Sequence, residues 1–307
     1  MLPHRTDVES AAARLGEKIR HTPTLVLHGD ELGVPYRVVL KLELLQHTGS
    51  FKVRGALNSV MSLDPGARSV AAASGGNHGA AVAWAAQRAG LAADIFVPST
   101  ATPAKLARIR EYGGRLHTVE GDVGDALVAC RELCERESVP LLHPYDTFET
   151  VCGAGTVGLE VGEAVPDAAL VLVGCGGGGL YAGLTAALES RVPVRPLETE
   201  LCPHLHVARE AGRPVPHTSA GAAADSLGPP QIGQLAFETA EKHDTTSLLV
   251  TEDELLAARR FLWERVRVLA EPGASVALAA VLSGKVEAHP GSSVVVLVSG
   301  GNNPAIP

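Results

Sequence analysis

Short β-branched runs alternate with longer alanine-rich stretches along nearly the whole chain, and no other feature restricts its fold as much. Strands are expected at 37–42, 69–73, 93–97, 115–119, 169–173, 193–198 and 293–298. Helices are expected at 7–19, 50–62, 77–89, 103–112, 123–137, 149–164, 179–189, 232–243, 252–266 and 273–283. Strands spaced by helices of this length are crossover units, which build parallel sheets with helices on their faces. Continuous apolar runs such as Leu170–Val173 and Val294–Val298 predict strands covered on both faces. An α/β fold follows. The units between about 69 and 145 form one compact set, and the remainder forms a second, larger sheet whose chain leaves and returns. Open sheets of this kind bind ligands beyond the carboxyl ends of their strands, so chemistry is sought in those loops first.

Composition narrows the function classes. The 307 residues carry 34 acidic and 26 basic side chains, a formal charge of −8. Lysine and arginine are scattered, so there is no electrostatic footprint for nucleic acid. No apolar run is long enough to span a bilayer, and the polar N-terminus, MLPHRTDVES, lacks the apolar middle of a secretory signal. The 5 cysteines are an odd number in a long chain, which fits reduced thiols in a cytoplasmic protein better than a disulfide framework. Cys130 and Cys134 share a helix face and are expected to act as small apolar residues.

Residues 174–179 read Gly-Cys-Gly-Gly-Gly-Gly between an expected strand and an expected helix. Backbone amides at a helix start, unobstructed by side chains, make an anion site. Gly174, Gly176 and Gly179 also satisfy G-x-G-x-x-G, and Glu198 falls at the end of the next strand, where a dinucleotide fold places its ribose-binding acid. The loop alone therefore predicts a phosphate without saying whose phosphate it is.

Two further loops carry reactive groups. In Thr48-Gly49-Ser50-Phe51-Lys52-Val53-Arg54, a turn leads into a helix with Lys52 in its first turn. The positive end of the helix dipole disfavours an ammonium there, and burial lowers its pKa further, favouring the neutral amine that a Schiff base requires. Residues Ser74-Gly75-Gly76-Asn77-His78-Gly79 form a second strand–turn–helix anion site, suited to a carboxylate. A structural hydrogen-bonding role for His78 is preferred over acid–base work. The last strand ends at Ser299-Gly300-Gly301-Asn302, which leaves a small hydroxyl at its carboxyl end.

Together these segments resemble the fold-type-II pyridoxal-phosphate enzymes, specifically the serine/threonine dehydratase (ammonia-lyase) and serine racemase branch. The resemblance rests on Lys41-Leu42-Glu43 with Gln46, the segment Thr48–Ala56, Ser74–Gly79, Gly176–Gly179, Glu271-Pro272-Gly273-Ala274 and Ser299–Asn302, in family order. It displaces the dinucleotide reading of the glycine loop. It implies two open, twisted, mostly parallel sheets flanked by helices, as in the tryptophan synthase β subunit. Residues 1–66 and 146–307 would form a large cofactor-binding domain and 67–145 a small one, with the active site in the cleft between them. Lys52 would hold pyridoxal 5'-phosphate covalently and act catalytically with Ser74. Phe51 would pack beside the cofactor ring, Gly176, Gly177, Gly178, Gly179 and Leu180 would cradle its phosphate, Asn77 would hydrogen-bond its phenolic oxygen and Ser299 would face its pyridine nitrogen. Ser74, Gly75, Gly76, Asn77 and His78 would bind the substrate carboxylate.

The implied activity is a lyase reaction, β-elimination of a hydroxy amino acid such as L-threonine or L-serine to a 2-oxo acid and ammonia. The alternatives are racemisation, β-replacement, elimination from another β-substituted amino acid, or a non-catalytic homologue, which an intact Lys52 argues against. A cytoplasmic homodimer acting on a small amino acid, with no nucleic acid or membrane partner, completes the expectation. Four departures from the family pattern matter. Gly75 stands where racemases carry a second serine, so efficient racemisation is disfavoured. Glu198, Cys202 and His204 occupy the positions of a divalent-cation site in some relatives, but Cys and His do not suit a hard cation. A soft-metal site from Cys202, His204 and His206 is the alternative to a plain helix start. Ser226 follows Asp225 where relatives often have glycine, and the chain ends too soon after Ser299 for a C-terminal regulatory domain.

Overall fold

The computed structural model describes residues 1–189, 191–303 and 305–307. Its strands, in chain order, are β1 (Thr24–Leu27), β2 (Arg37–Leu42), β3 (Ser69–Ala73), β4 (Ala92–Pro98), β5 (Arg115–Val119), β6 (Ala168–Gly174), β7 (Val194–Thr199), β8 (Leu248–Val250) and β9 (Ser293–Val298). One sheet runs β1-β2-β9-β6-β7-β8 and a second runs β3-β4-β5. Every pairing of these strands is parallel except β1 with β2. The expected α/β fold with two mostly parallel sheets is the observed one.

The apolar runs explain the order. β9 is buried along its whole length and lies between β2 and β6, with Val39 and Val171 both registered on Val295. Helices cover both faces of this sheet, so valine on either side of the pleat is removed from water, at about 1.5–3 kcal/mol per fully buried side chain. The three-stranded sheet packs on the helix Asn77–Ala89, whose Ala80, Ala81, Ala83, Ala85 and Ala86 are all buried. The long helix Phe148–Ala164 meets Gly179–Leu188 at Gly155 and Gly183, where a Cβ on either would lie 2.6 Å from a backbone atom of the other helix.

Two strands were not anticipated. β1 is an edge strand with Leu25 and Val26 exposed, and β8 has only three residues. Neither carries an alternation long enough to read. The helix expected at 7–19 runs Arg5–Leu15 and stops where Gly16 turns to φ +48. The helix expected at 252–266 is α-helical to Phe261 and finishes as a π-helical turn, Leu262–Val266.

A buried ion network fixes the start of the helix Lys52–Met61. Arg54 is fully buried and donates to both carboxylate oxygens of Glu43, at 2.7 and 2.8 Å. It also pairs with Glu160 at 2.7 Å, and Glu160 pairs with Lys41 at 2.6 Å. Thr22 closes the network by donating to Glu43 at 2.5 Å and accepting from Lys41 at 2.5 Å. Burial works against the Arg54 charge, but the two carboxylates outweigh it and hold the guanidinium protonated. The same helix start is tied to the end of β9, because the Phe51 amide donates to the Ser299 carbonyl at 3.0 Å and Ser50 bridges Gly300.

Candidate active site

The carboxyl ends of β3, β6 and β9 open into one cavity of about 360 Å³. The residues singled out from sequence as cofactor and substrate ligands all line it: Phe51, Lys52, Ser74, Gly75, Gly76, Asn77, His78, Gly176, Gly177, Gly178, Gly179, Leu180 and Ser299. Segments more than 200 residues apart in sequence converge there because β9 returns to the middle of the sheet beside β2 and β6.

Lys52 is the first residue of its helix, as the turn before it predicted. Its Nζ donates to the Pro144 carbonyl at 2.8 Å and sits 5.0 Å from the centre of the Phe51 ring. Loss of hydration lowers its pKa to about 8, against a partial opposing pull from Glu271. A lysine with a lowered pKa is neutral above that value, and only the neutral amine attacks a carbonyl. Capture of an aldehyde cofactor by the cofactor-free protein should therefore quicken with rising pH and level off above about 8. Stopped-flow absorbance would follow it, and a rate independent of pH between about 6.5 and 9 would contradict this assignment.

The glycine loop can carry nothing but glycine. A Cβ on Gly176 would lie 2.9 Å from the Leu227 Cα, and one on Gly179 would lie 2.5 Å from the Tyr145 carbonyl oxygen. On Gly177 it would overlap the Tyr145 ring, and Gly178 combines φ +81 with a contact 2.9 Å from Ile232. The loop feeds straight into the helix Gly179–Leu188, whose first amides have no intrahelical acceptor and whose dipole favours an anion. Steric clearance and donors together fit a phosphate, and Lys52 at the same cavity fits an aldehyde carbon.

Glu198 does not serve as a ribose ligand. It is fully buried and accepts from the amides of Leu205 at 2.7 Å and His206 at 2.9 Å, and from the Ser247 hydroxyl at 2.5 Å. Burial pushes its pKa up to about 7. It acts as a cap for the helix His204–Ala211, so the residues from Cys202 onward are a helix start. Cys202 donates to the Ala220 carbonyl and His204 bonds Ser219 at 2.8 Å. Among the described residues no cluster of three or more His, Cys, Asp or Glu side chains is placed to hold a metal.

In the second loop the Ser74 hydroxyl accepts from the Gly76 amide at 3.2 Å. His78 is buried, and its Nε2 bonds the Leu142 carbonyl at 2.9 Å, so Nε2 carries the proton. Burial first, and then the Lys52 charge, lowers its pKa to about 3. The ring thus bonds a main-chain carbonyl, while the residue also lines the cavity. A second imidazole, His143, was not anticipated. Its Nδ1 accepts from the amides of Asp146 at 3.0 Å and Tyr145 at 3.4 Å, and burial lowers its pKa to about 4. Both rings are neutral at physiological pH.

Sequence reasoning assigned no role in the site to Glu271, Tyr145, Lys105 or Asp225, all of which line the cavity. Glu271 stood within a recognised motif, but Tyr145 and Lys105 carried no signal at all. Lys105, on the helix Pro103–Glu111, pairs with Asp225 across the mouth, from the side of the smaller sheet to that of the larger. Both are partly exposed, so the pair is a weak and readily broken contact.

A sequence profile of pyridoxal-phosphate dependent enzymes matches residues 16–300. The chain belongs to that family. An L-threonine ammonia-lyase of Geobacter sulfurreducens is 34% identical, over 98% of this chain and 76% of its own length. The crystal structure of a T.th. threonine deaminase superposes with a TM-score of 0.91 at 32% identity, covering 99% of this chain and 100% of that one. Maize serine racemase superposes with a TM-score of 0.92 at 27% identity, covering 99% and 94% of the two chains. Family membership makes this chain an enzyme that works with pyridoxal phosphate, and the cavity has the groups to hold it.

Proposed function

We propose that the protein is a carbon–nitrogen ammonia-lyase that eliminates water from a small β-hydroxy amino acid, threonine or serine, to give a 2-oxo acid and ammonia. The observation that carries this reading is the desolvated Lys52 amine facing the same cavity as the glycine loop Gly176–Gly179 and the loop Ser74–His78. Similarity to ammonia-lyases over the whole chain supports it. Pyridoxal phosphate, when bound, supplies an electron sink that lowers the barrier to removing the substrate Cα proton.

The chain's own groups do the rest. Gly176–Leu180, which line the cavity, would offer their amides to the phosphate, and Phe51 would pack beside the ring. Asn77 would hydrogen-bond the phenolic oxygen and Ser299 would face the ring nitrogen. Ser299 is a hydroxyl rather than an acid, so it does not hold a ring nitrogen protonated, which favours prompt elimination over a long-lived carbanion. Ser74 and the amides of Gly75, Gly76 and Asn77 orient the substrate carboxylate. The Lys52 Nζ takes the Cα proton. Neutral His78 and His143 keep positive charge away from that amine. Residues 1–66 with 146–307 act as the large domain and 67–145 as the small one, and the enzyme works as a cytoplasmic homodimer.

Assay of ammonia and 2-oxo acid release from a panel of β-substituted amino acids tests the reading. Threonine or serine should be turned over fastest, and a holoenzyme that releases no ammonia from any hydroxy amino acid would overturn it.

The resemblance to serine racemase gives racemisation as the second reading, and Gly75 weighs against it. Glycine has no group with which to return a proton to the opposite face of Cα. A Cβ at position 75 would lie 3.3 Å from the Ala101 Cβ, so a small side chain fits with a slight shift. Gly75→Ser should raise racemisation of serine relative to elimination by about tenfold or more, one added acid–base group being worth up to about 10²–10⁴-fold when fully positioned. Chiral chromatography would measure the partition, and an unchanged ratio would count against the role given to this position.

A further inference from the structure

Asn77 is held from two sides. Its Nδ2 lies 2.9 and 3.0 Å from the two carboxylate oxygens of Glu271, which places one N–H between them. Its Oδ1 accepts from the Asn302 Nδ2 at 2.6 Å, and that same Asn302 nitrogen donates to the Thr48 carbonyl at 2.8 Å. Glu271 is itself fixed, since its amide donates to the Gly300 carbonyl at 3.1 Å and its carboxylate fills the space where a Cβ on Gly300 would stand. Glu271 is only 7% exposed, yet it lines the cavity together with Lys52, Asn77 and Ser299. A buried carboxylate is costly unless it is hydrogen-bonded, and this one is met by the Asn77 side-chain amide and the Asn302 backbone amide.

An asparagine amide presents two N–H groups on one side and a carbonyl on the other, and exchanging them costs little unless neighbours choose. Here a carboxylate can face only the NH₂ side, and the Asn302 amino group can face only the carbonyl. We infer that Glu271 and Asn302 are positioning residues that fix the Asn77 amide, so that its remaining N–H, and never its carbonyl, is turned to an oxygen anion in the cavity. This rests on the reading of Asn77 as a ligand of the cofactor's phenolic oxygen. A turned amide would set a carbonyl dipole against that oxygen and repel it.

The test is a thermodynamic cycle read by cofactor binding. Pyridoxal 5'-phosphate affinity and the absorption maximum of the bound cofactor are measured for Asn77→Ala, Glu271→Leu, Asn302→Leu and the doubles with Asn77→Ala. Each single variant should bind the cofactor roughly tenfold more weakly and shift the maximum, as the loss of one charge-assisted contact does. In the Asn77→Ala background, Glu271→Leu and Asn302→Leu should add nothing further. Glu271→Gln keeps one acceptor oxygen and should restore most of the affinity lost in Glu271→Leu. Effects of Glu271→Leu and Asn302→Leu that multiply fully with that of Asn77→Ala would overturn the inference while leaving Asn77 as a ligand. Unchanged affinity and spectrum in Asn77→Ala alone would instead overturn the reading beneath it. Using two partners from different segments keeps the test decisive if one variant does not fold.

Discussion

Lys52→Ala should lower ammonia release by about 10³-fold or more, the scale expected when the covalent anchor and the proton acceptor are one side chain. The protein should still fold, because Lys52 contributes one hydrogen bond, to the Pro144 carbonyl, and belongs to none of the buried ion pairs. Its thermal midpoint should stay close to that of the parent, and the cofactor should wash out on desalting. Steady-state assay of ammonia beside a melting curve checks both halves. A variant retaining a tenth of the parent rate would mean that another group takes the Cα proton.

Arg54→Met should be the most damaging change to stability. The network holds two cations, Lys41 and Arg54, and two anions, Glu43 and Glu160, in nearly complete burial. Removing Arg54 leaves one excess negative charge with no water to solvate it, at a cost of about 3–5 kcal/mol. For a chain of this size that lowers the melting midpoint by roughly 5–8 °C. Because the same network seats the helix that presents Lys52, cofactor retention should fall with it. Removing Glu43 as well, as Arg54→Met with Glu43→Leu, leaves the neutral Lys41–Glu160 pair and should recover much of the loss. A single variant melting within about 2 °C of the parent would show that the ion network is not what secures this helix.

What could be read from the sequence depended on whether one segment carried the whole signal. β2, β6 and β9 were legible because burial on both faces demands uninterrupted apolar residues. β1 was not, because an edge strand tolerates Leu25 and Val26 in solvent and needs no alternation. Lys52 and the glycine loop were legible because their chemistry admits few residue types. Glu198 shows how spacing misleads: an acid at the end of a strand fits a ribose, yet here it caps the helix His204–Ala211. The support around Asn77 was invisible, because Glu271 lies 194 residues and Asn302 225 residues away in sequence. Only the return of β9 to the sheet centre brings the three together. Tyr145 was hidden for a related reason, since its role against Gly177 is steric and exists only once the loop is folded.

Borohydride reduction of the purified holoenzyme, followed by proteolysis and mass spectrometry, addresses the covalent chemistry directly. A single pyridoxyl adduct is expected, on the peptide containing Lys52. Reduction that leaves this lysine unmodified, or that places the adduct on a different lysine, would contradict it.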